Sequence, residues 1–219
     1  MESRFKDRYA AGRLLAGALQ AYAGRADVVV LALPRGGVPV GYAVAKALGA
    51  EFDVLIVRKL GLPFHPELAM GAIASGGAID LNRNVIAMSG VTQSDIEGVM
   101  AREYRELERR EALYRGSRTA TPIEGRTIIV VDDGIATGAS MRAALKAVRA
   151  RKPAKVIVAV PVSPSDARQR LQDVCDEFVS VLSPADFQAV GQFYEHFDQT
   201  SDDEVRSLLA DFDTTGAQQ

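Results

Sequence analysis

The sequence predicts an α/β protein built on a doubly wound, mostly parallel sheet, and three observations point there. Apolar runs rich in Val, Ile and Leu recur at 27–33, 52–57, 128–131, 155–160 and 177–182, the composition of strands buried on both faces. Stretches with helical spacing separate most of these runs, so the strands are joined by crossovers that cover the sheet. Two runs end in small-residue loops that lead directly into helices. That is where parallel sheets bind ligands, at the carboxyl ends of their strands.

In chain order, residues 9–23 place Leu14, Leu15, Ala18, Leu19 and Tyr22 on one face of an amphipathic helix. The first strand, 27–33, runs into Pro34-Arg35-Gly36-Gly37-Val38-Pro39. The two glycines admit backbone angles closed to other residues, and Pro39 suits the first turn of a helix reaching Leu48. The second strand, 52–57, is followed directly by Arg58-Lys59. Residues 60–90 are turn-rich, with a hairpin expected at Ser75-Gly76-Gly77 leading into 78–81. Residues 92–115 form a long charged helix in which Glu106 and Arg110, and Glu111 and Arg115, sit four apart and can pair. Tyr104, Leu107 and Tyr114 give it only a thin apolar stripe. Strand 155–160 leads to a short helix, 166–172, capped by Ser165, and strand 177–182 follows. Four aromatic residues then gather in 184–197, and Ser201-Asp202-Asp203-Glu204 forms a capping box for a last helix with Val205, Leu208 and Leu209 inward. Residues 214–219 read as a frayed tail.

Composition narrows the function classes. The 219 residues are 47% hydrophobic and 25% charged, with a net charge of −2. No global attraction to nucleic acid or to an anionic membrane follows from that charge, so neither is an expected partner. The lone cysteine, Cys175, excludes an intrachain disulfide and fits a cytoplasmic protein. The charged N-terminus lacks a signal-peptide core, and no apolar run approaches the ~20 residues that span a bilayer. His65 lies among turn residues with no evident carboxylate or serine partner, so no catalytic role is expected for it.

Chemistry concentrates in Ile128-Ile129-Val130-Val131-Asp132-Asp133-Gly134-Ile135-Ala136-Thr137-Gly138-Ala139-Ser140. Small residues let backbone N–H groups approach an anion, Thr137 and Ser140 add hydroxyl donors, and the helix behind contributes its positive end. The loop lacks the lysine of a Walker phosphate loop, so an ATPase fits poorly. Adjacent carboxylates would repel a phosphate, and hydroxyls of a sugar diol are their natural partner. The stretch therefore reads as a site for a phosphorylated sugar.

This stretch resembles the phosphoribosyl pyrophosphate signature of the type I phosphoribosyltransferases. The overall layout looks most like bacterial phosphoribosyltransferase-domain proteins of uncharacterised activity. The resemblance implies that Asp132 and Asp133 hold the ribose hydroxyls and that Gly134, Ile135, Ala136, Thr137, Gly138, Ala139 and Ser140 hold the 5-phosphate. It implies that Arg35, Gly36 and Gly37, with Arg58 and Lys59, take the diphosphate. It further implies a single domain over 1–219, with 60–120 as lid and helical insertion and 183–212 as hood and C-terminal helix, the competing account of 60–90 being a small structural hairpin. Phe187, Phe193 and Tyr194 would stack the acceptor, the competing account being an apolar cluster that anchors the C-terminal segment. Mg²⁺ is implied as cofactor, carried by the substrate and without an assigned protein ligand. The expected reaction moves the phosphoribosyl group to a nucleobase-like nitrogen acceptor, releasing pyrophosphate, in a cytoplasmic homodimer. The alternative is a regulatory protein that binds phosphoribosyl pyrophosphate or a nucleotide without turnover.

Overall fold

The computed structural model describes residues 4–116 and 118–216, with side chains described through residue 212. Its centre is a five-stranded parallel sheet in the order β2-β1-β6-β7-β8. These strands are β1 (Val28–Ala32), β2 (Glu51–Val54), β6 (Thr127–Val131), β7 (Lys155–Val162) and β8 (Glu177–Leu182). The β-branched runs pack both ways, as their composition demands. Val28, Val30 and Ala32 join one core with Ile129 and Val131, while Val29 and Leu31 join the other with Ile128 and Val130. Helices α1 (Arg8–Ala18), α2 (Gly37–Leu48) and α7 (Asp202–Gly216) supply the first core. Helices α5 (Ala139–Ala150) and α6 (Ala167–Leu171) supply the second. The strand order reverses direction between β1 and β6, which are hydrogen-bonded neighbours in the register Ala32↔Val131. The loops after these two strands therefore emerge side by side at a topological switch point.

The second strand is shorter than its apolar run suggests. Leu55 still donates to Ala32 O at 2.9 Å, but Ile56 donates to Ser75 Oγ at 3.0 Å and the chain leaves the sheet. It continues into an antiparallel sheet of β3 (Val57–Leu62), β4 (His65–Ala74) and β5 (Ala78–Leu81). Arg58 and Lys59 consequently lie within β3, not at the end of a core strand. The root of this small sheet is fixed, for Leu60, Met70 and Ile73 are fully buried and Lys146 pairs with Asp80 at 2.7 Å. Its tip is exposed, Phe64 at 83%.

After α3 (Arg83–Ser89), α4 (Gln93–Arg115) begins at the capping box of Thr92 and Asp95 and carries both expected i,i+4 pairs, Glu106–Arg110 and Glu111–Arg115. Its C-terminus is locked to β2, where Arg115 pairs with buried Asp53 at 3.0 Å. Two expectations are corrected. Ser165 does not cap α6, whose N-cap position is Asp166 without a side-chain bond, because the Asp166 carboxylate pairs with Arg170 instead. Residues 214–216 continue α7, while the rest of the expected tail, 217–219, lies outside the described residues. Among the described residues no helix is long and apolar enough to cross a membrane.

Candidate active site

The loop after β6 is open to solvent where the sequence requires it. Ala136, Thr137, Ala139 and Ser140 are exposed, whereas Ile135 is buried and anchors the loop, its N–H donating to Val162 O at 3.0 Å. Gly138 sits at φ +80°, a conformation that side chains rarely adopt, and opens α5 as its N-cap. Residues 136–140 thus lie near the positive end of a 12-residue helix. A cavity of about 150 Å³ is lined by Asp132 and by residues 134–141. Arg170 braces the loop from behind, donating to Thr137 O at 3.1 Å.

The loop after β1 lies directly against the acidic pair. Leu33 donates to Val131 O at 2.9 Å. A Cβ on Gly37 would stand 2.8 Å from Asp132 Cα, and one on Gly36 would stand 2.1 Å from Asp133 Oδ2. The peptide joining Pro34 to Arg35 is cis. Arg35 is a third exposed, and its nearest carboxylate, Asp202 at the start of α7, is 3.9 Å away. The two glycine-bearing motifs, about 100 residues apart in sequence, form one surface.

The two acids are not equivalent. Asp132 lines the cavity, and its Oδ1 accepts from the Asp133 N–H at 2.9 Å. Burial, followed by the charge of Asp133, pushes its carboxyl well above the ordinary value of 3.8. Asp133 turns toward the N-terminal segment and pairs with Arg8 at 2.9 Å. Burial also raises Asp133, and the Arg8 guanidinium opposes that rise. Sequence reading missed Arg8, since a partner 125 residues away leaves no local signal.

The basic pair of β3 is differently placed. Arg58 donates through Nε and Nη2 to Glu103 Oε2 of α4 at 3.0 and 2.7 Å, so its charge is committed to a helix contact. Lys59 is exposed and, among the described residues, pairs with the fully exposed Glu67 at 3.2 Å. The Lys59 ammonium is thus the more exposed of the two charges, while Arg58 is tied to a carboxylate.

The aromatic segment packs inward. Phe193 and Tyr194 are 1% and 4% exposed, in a cluster with Phe5, Ala11 and Val162. Phe187 stacks on Phe193 with ring centroids 5.6 Å apart. Tyr194 donates its hydroxyl to Asp133 O at 2.6 Å. Phe193 and Tyr194 therefore offer no free ring face to a base here, and Phe187 is the only partly exposed ring of the three. The apolar-cluster account describes this segment, because Phe193 and Tyr194 are buried against Phe5, Ala11 and Val162. Among the described residues, no three His, Cys, Asp or Glu side chains converge on a common point. The acids present suit an ion held by a ligand's own phosphate oxygens and water, as Mg²⁺ commonly is.

Comparison with known proteins shows the family and the fold. A family model described as "Phosphoribosyl transferase domain" matches residues 6–197. "Putative phosphoribosyl transferase Rv0571c" of Mycobacterium tuberculosis H37Rv is 48% identical over 217 residues, covering 97% of this chain and 49% of that protein. A second protein, from the CDC 1551 strain, matches equally. The chain thus spans about half the length of the curated relatives it matches. The crystal structure of TT1426 from Thermus thermophilus superposes with a TM-score of 0.85 at 44% identity, covering 95% of this chain and 99% of that one.

Proposed function

Because the chain belongs to the phosphoribosyl transferase family, we propose that it transfers the phosphoribosyl group of phosphoribosyl pyrophosphate to a nucleobase-like nitrogen acceptor, releasing pyrophosphate. One observation carries the reading. The glycine loop after β1 touches the acids after β6, while the next residues lie exposed at a helix N-terminus. A diphosphate, a pentose and a terminal phosphate fit these three features in that spatial order.

In this mechanism the nitrogen lone pair attacks C1 as the bond from C1 to the pyrophosphate oxygen breaks. Positive charge develops on the ribose ring. Asp132 faces the cavity and would orient the diol beside that charge. The N–H groups of 136–140 would fix the 5-phosphate, so that the ring cannot rotate away from the attacking atom. Gly36 and Gly37 let the turn after β1 pack against the two acids, and Arg35 and Lys59 would supply counter-charges to the leaving pyrophosphate. When bound, Mg²⁺ would neutralise part of the diphosphate charge and improve it as a leaving group. Most of the rate would come from positioning and electrostatics.

The test is pyrophosphate release from phosphoribosyl pyrophosphate with Mg²⁺ across purines, pyrimidines and pyridines. Release that depends on one acceptor class supports the proposal. Tight binding without release for any acceptor would favour the regulatory reading instead.

A further inference from the structure

We propose that Arg8 is a positioning residue of the pentose site, which fixes, through Asp133, the carboxylate oxygen that meets the ribose diol. This inference rests on the phosphoribosyl reading above. Arg8 is held on three sides. Its Nε and Nη2 both lie 2.9 Å from Asp133 Oδ2, its Nη1 donates to Asp198 O at 2.6 Å, and its guanidinium carbon lies 4.0 Å from the Phe197 ring centroid. The segment carrying these partners is itself pinned. Phe5 donates to Phe193 O and Glu195 donates to Phe5 O, both at 2.8 Å, and the Tyr194 hydroxyl reaches the backbone of Asp133. The N-terminal residues and the aromatic segment thus close one strap around a single carboxylate.

That strap has a consequence for the site. Arg8 engages Oδ2, which leaves Oδ1 as the oxygen a ribose hydroxyl would meet. The pair is mostly enclosed, with side chains 11% and 15% exposed, so solvent screens it weakly. The charged or titratable groups acting on Asp133 are Arg8, Asp132 and Tyr194, and Arg8 is the only cation among them. Its positive charge offsets part of the negative charge that the acids would otherwise set against an incoming polyanion. A simple anchor for the N-terminus needs no such placement; a support for the acid pair does.

The experiment titrates the full chain and its Arg8→Gln and Arg8→Lys variants with ribose 5-phosphate, 2-deoxyribose 5-phosphate and inorganic phosphate. The wild type should prefer ribose 5-phosphate to its deoxy analogue. Arg8→Gln should weaken ribose 5-phosphate about tenfold and erase that preference, with inorganic phosphate changed by less than about twofold. Arg8→Lys should recover part of the preference. In ligand-free protein, the ¹³C carboxyl titration of Asp133 should move to higher pH in Arg8→Gln. An unchanged preference in Arg8→Gln overturns the proposal, as does an equal loss for all three ligands that lysine does not repair. A wild type with no preference for ribose 5-phosphate refutes the phosphoribosyl reading. The carboxyl titration then decides on Arg8 separately, and an unmoved Asp133 would remove its role.

Discussion

Gly36 and Asp133 meet so closely that a Cβ on the glycine would stand 2.1 Å from the carboxylate Oδ2. They follow different strands, and they touch because β1 and β6 are parallel neighbours whose last paired residues are Ala32 and Val131. Asp133 cannot swing aside without breaking its pair with Arg8. Gly36→Ala should therefore lower phosphoribosyl pyrophosphate-dependent turnover at least about tenfold. Steady-state kinetics on the folded variant checks this, and wild-type turnover would show the two loops to be uncoupled.

Gly138 tests the phosphate loop by a different route. An added Cβ would meet Ile135 and Leu171 only at 3.7 and 3.9 Å, so space is not the obstacle. The obstacle is φ at +80°, and an L-residue forced into that region costs roughly 1–2 kcal/mol. Gly138→Ala should lower stability in urea by about that amount and weaken inorganic phosphate binding as the loop relaxes.

Asp132 should carry a conflict between stability and function. Its folded-state pKa lies above the ordinary 3.8, first from burial and then from the charge of Asp133. The folded state therefore binds the proton more tightly than the unfolded chain, and stability is lost as pH rises through the raised value. The penalty is absent below 3.8. Asp132→Asn keeps an acceptor for the Asp133 N–H but never ionises. It should melt higher than the wild type near neutral pH, with the gain fading toward about pH 4, while turnover falls at least about tenfold. Thermal melts across pH, paired with kinetics, read both effects.

The ion pair of Asp53 and Arg115 should matter to the fold alone. The two side chains are 2% and 8% exposed, and Asp53 also accepts from the Thr121 N–H at 3.0 Å. Arg115→Met strands a buried carboxylate and should cost about 3–5 kcal/mol in urea unfolding. Inorganic phosphate affinity of the remaining folded protein should be unchanged.

What the sequence revealed follows the range of the interactions. Val130 and Val131 announce a buried strand by type alone, and Thr92 with Asp95, or Glu106 with Arg110, announce helix contacts by spacing alone. The loop at 134–140 was legible because its chemistry is contiguous. Three features were not legible. The break at Leu55 and Ile56 hides inside an apolar run, because both residues stay buried as the chain changes sheets. Arg58 reads as a diphosphate contact until its partner Glu103, 45 residues on, is known. Phe193 and Tyr194 have the composition of either a ligand face or a core, and only packing against Phe5 and Val162 decides.

The central claim is tested most directly by a crystal structure of the protein soaked with a nucleoside monophosphate. The account predicts the phosphate oxygens within hydrogen-bond distance of the N–H groups of residues 136–140, and the ribose hydroxyls on the carboxylates of Asp132 and Asp133. A nucleotide bound elsewhere, or seated with its ribose turned away from both acids, would contradict it.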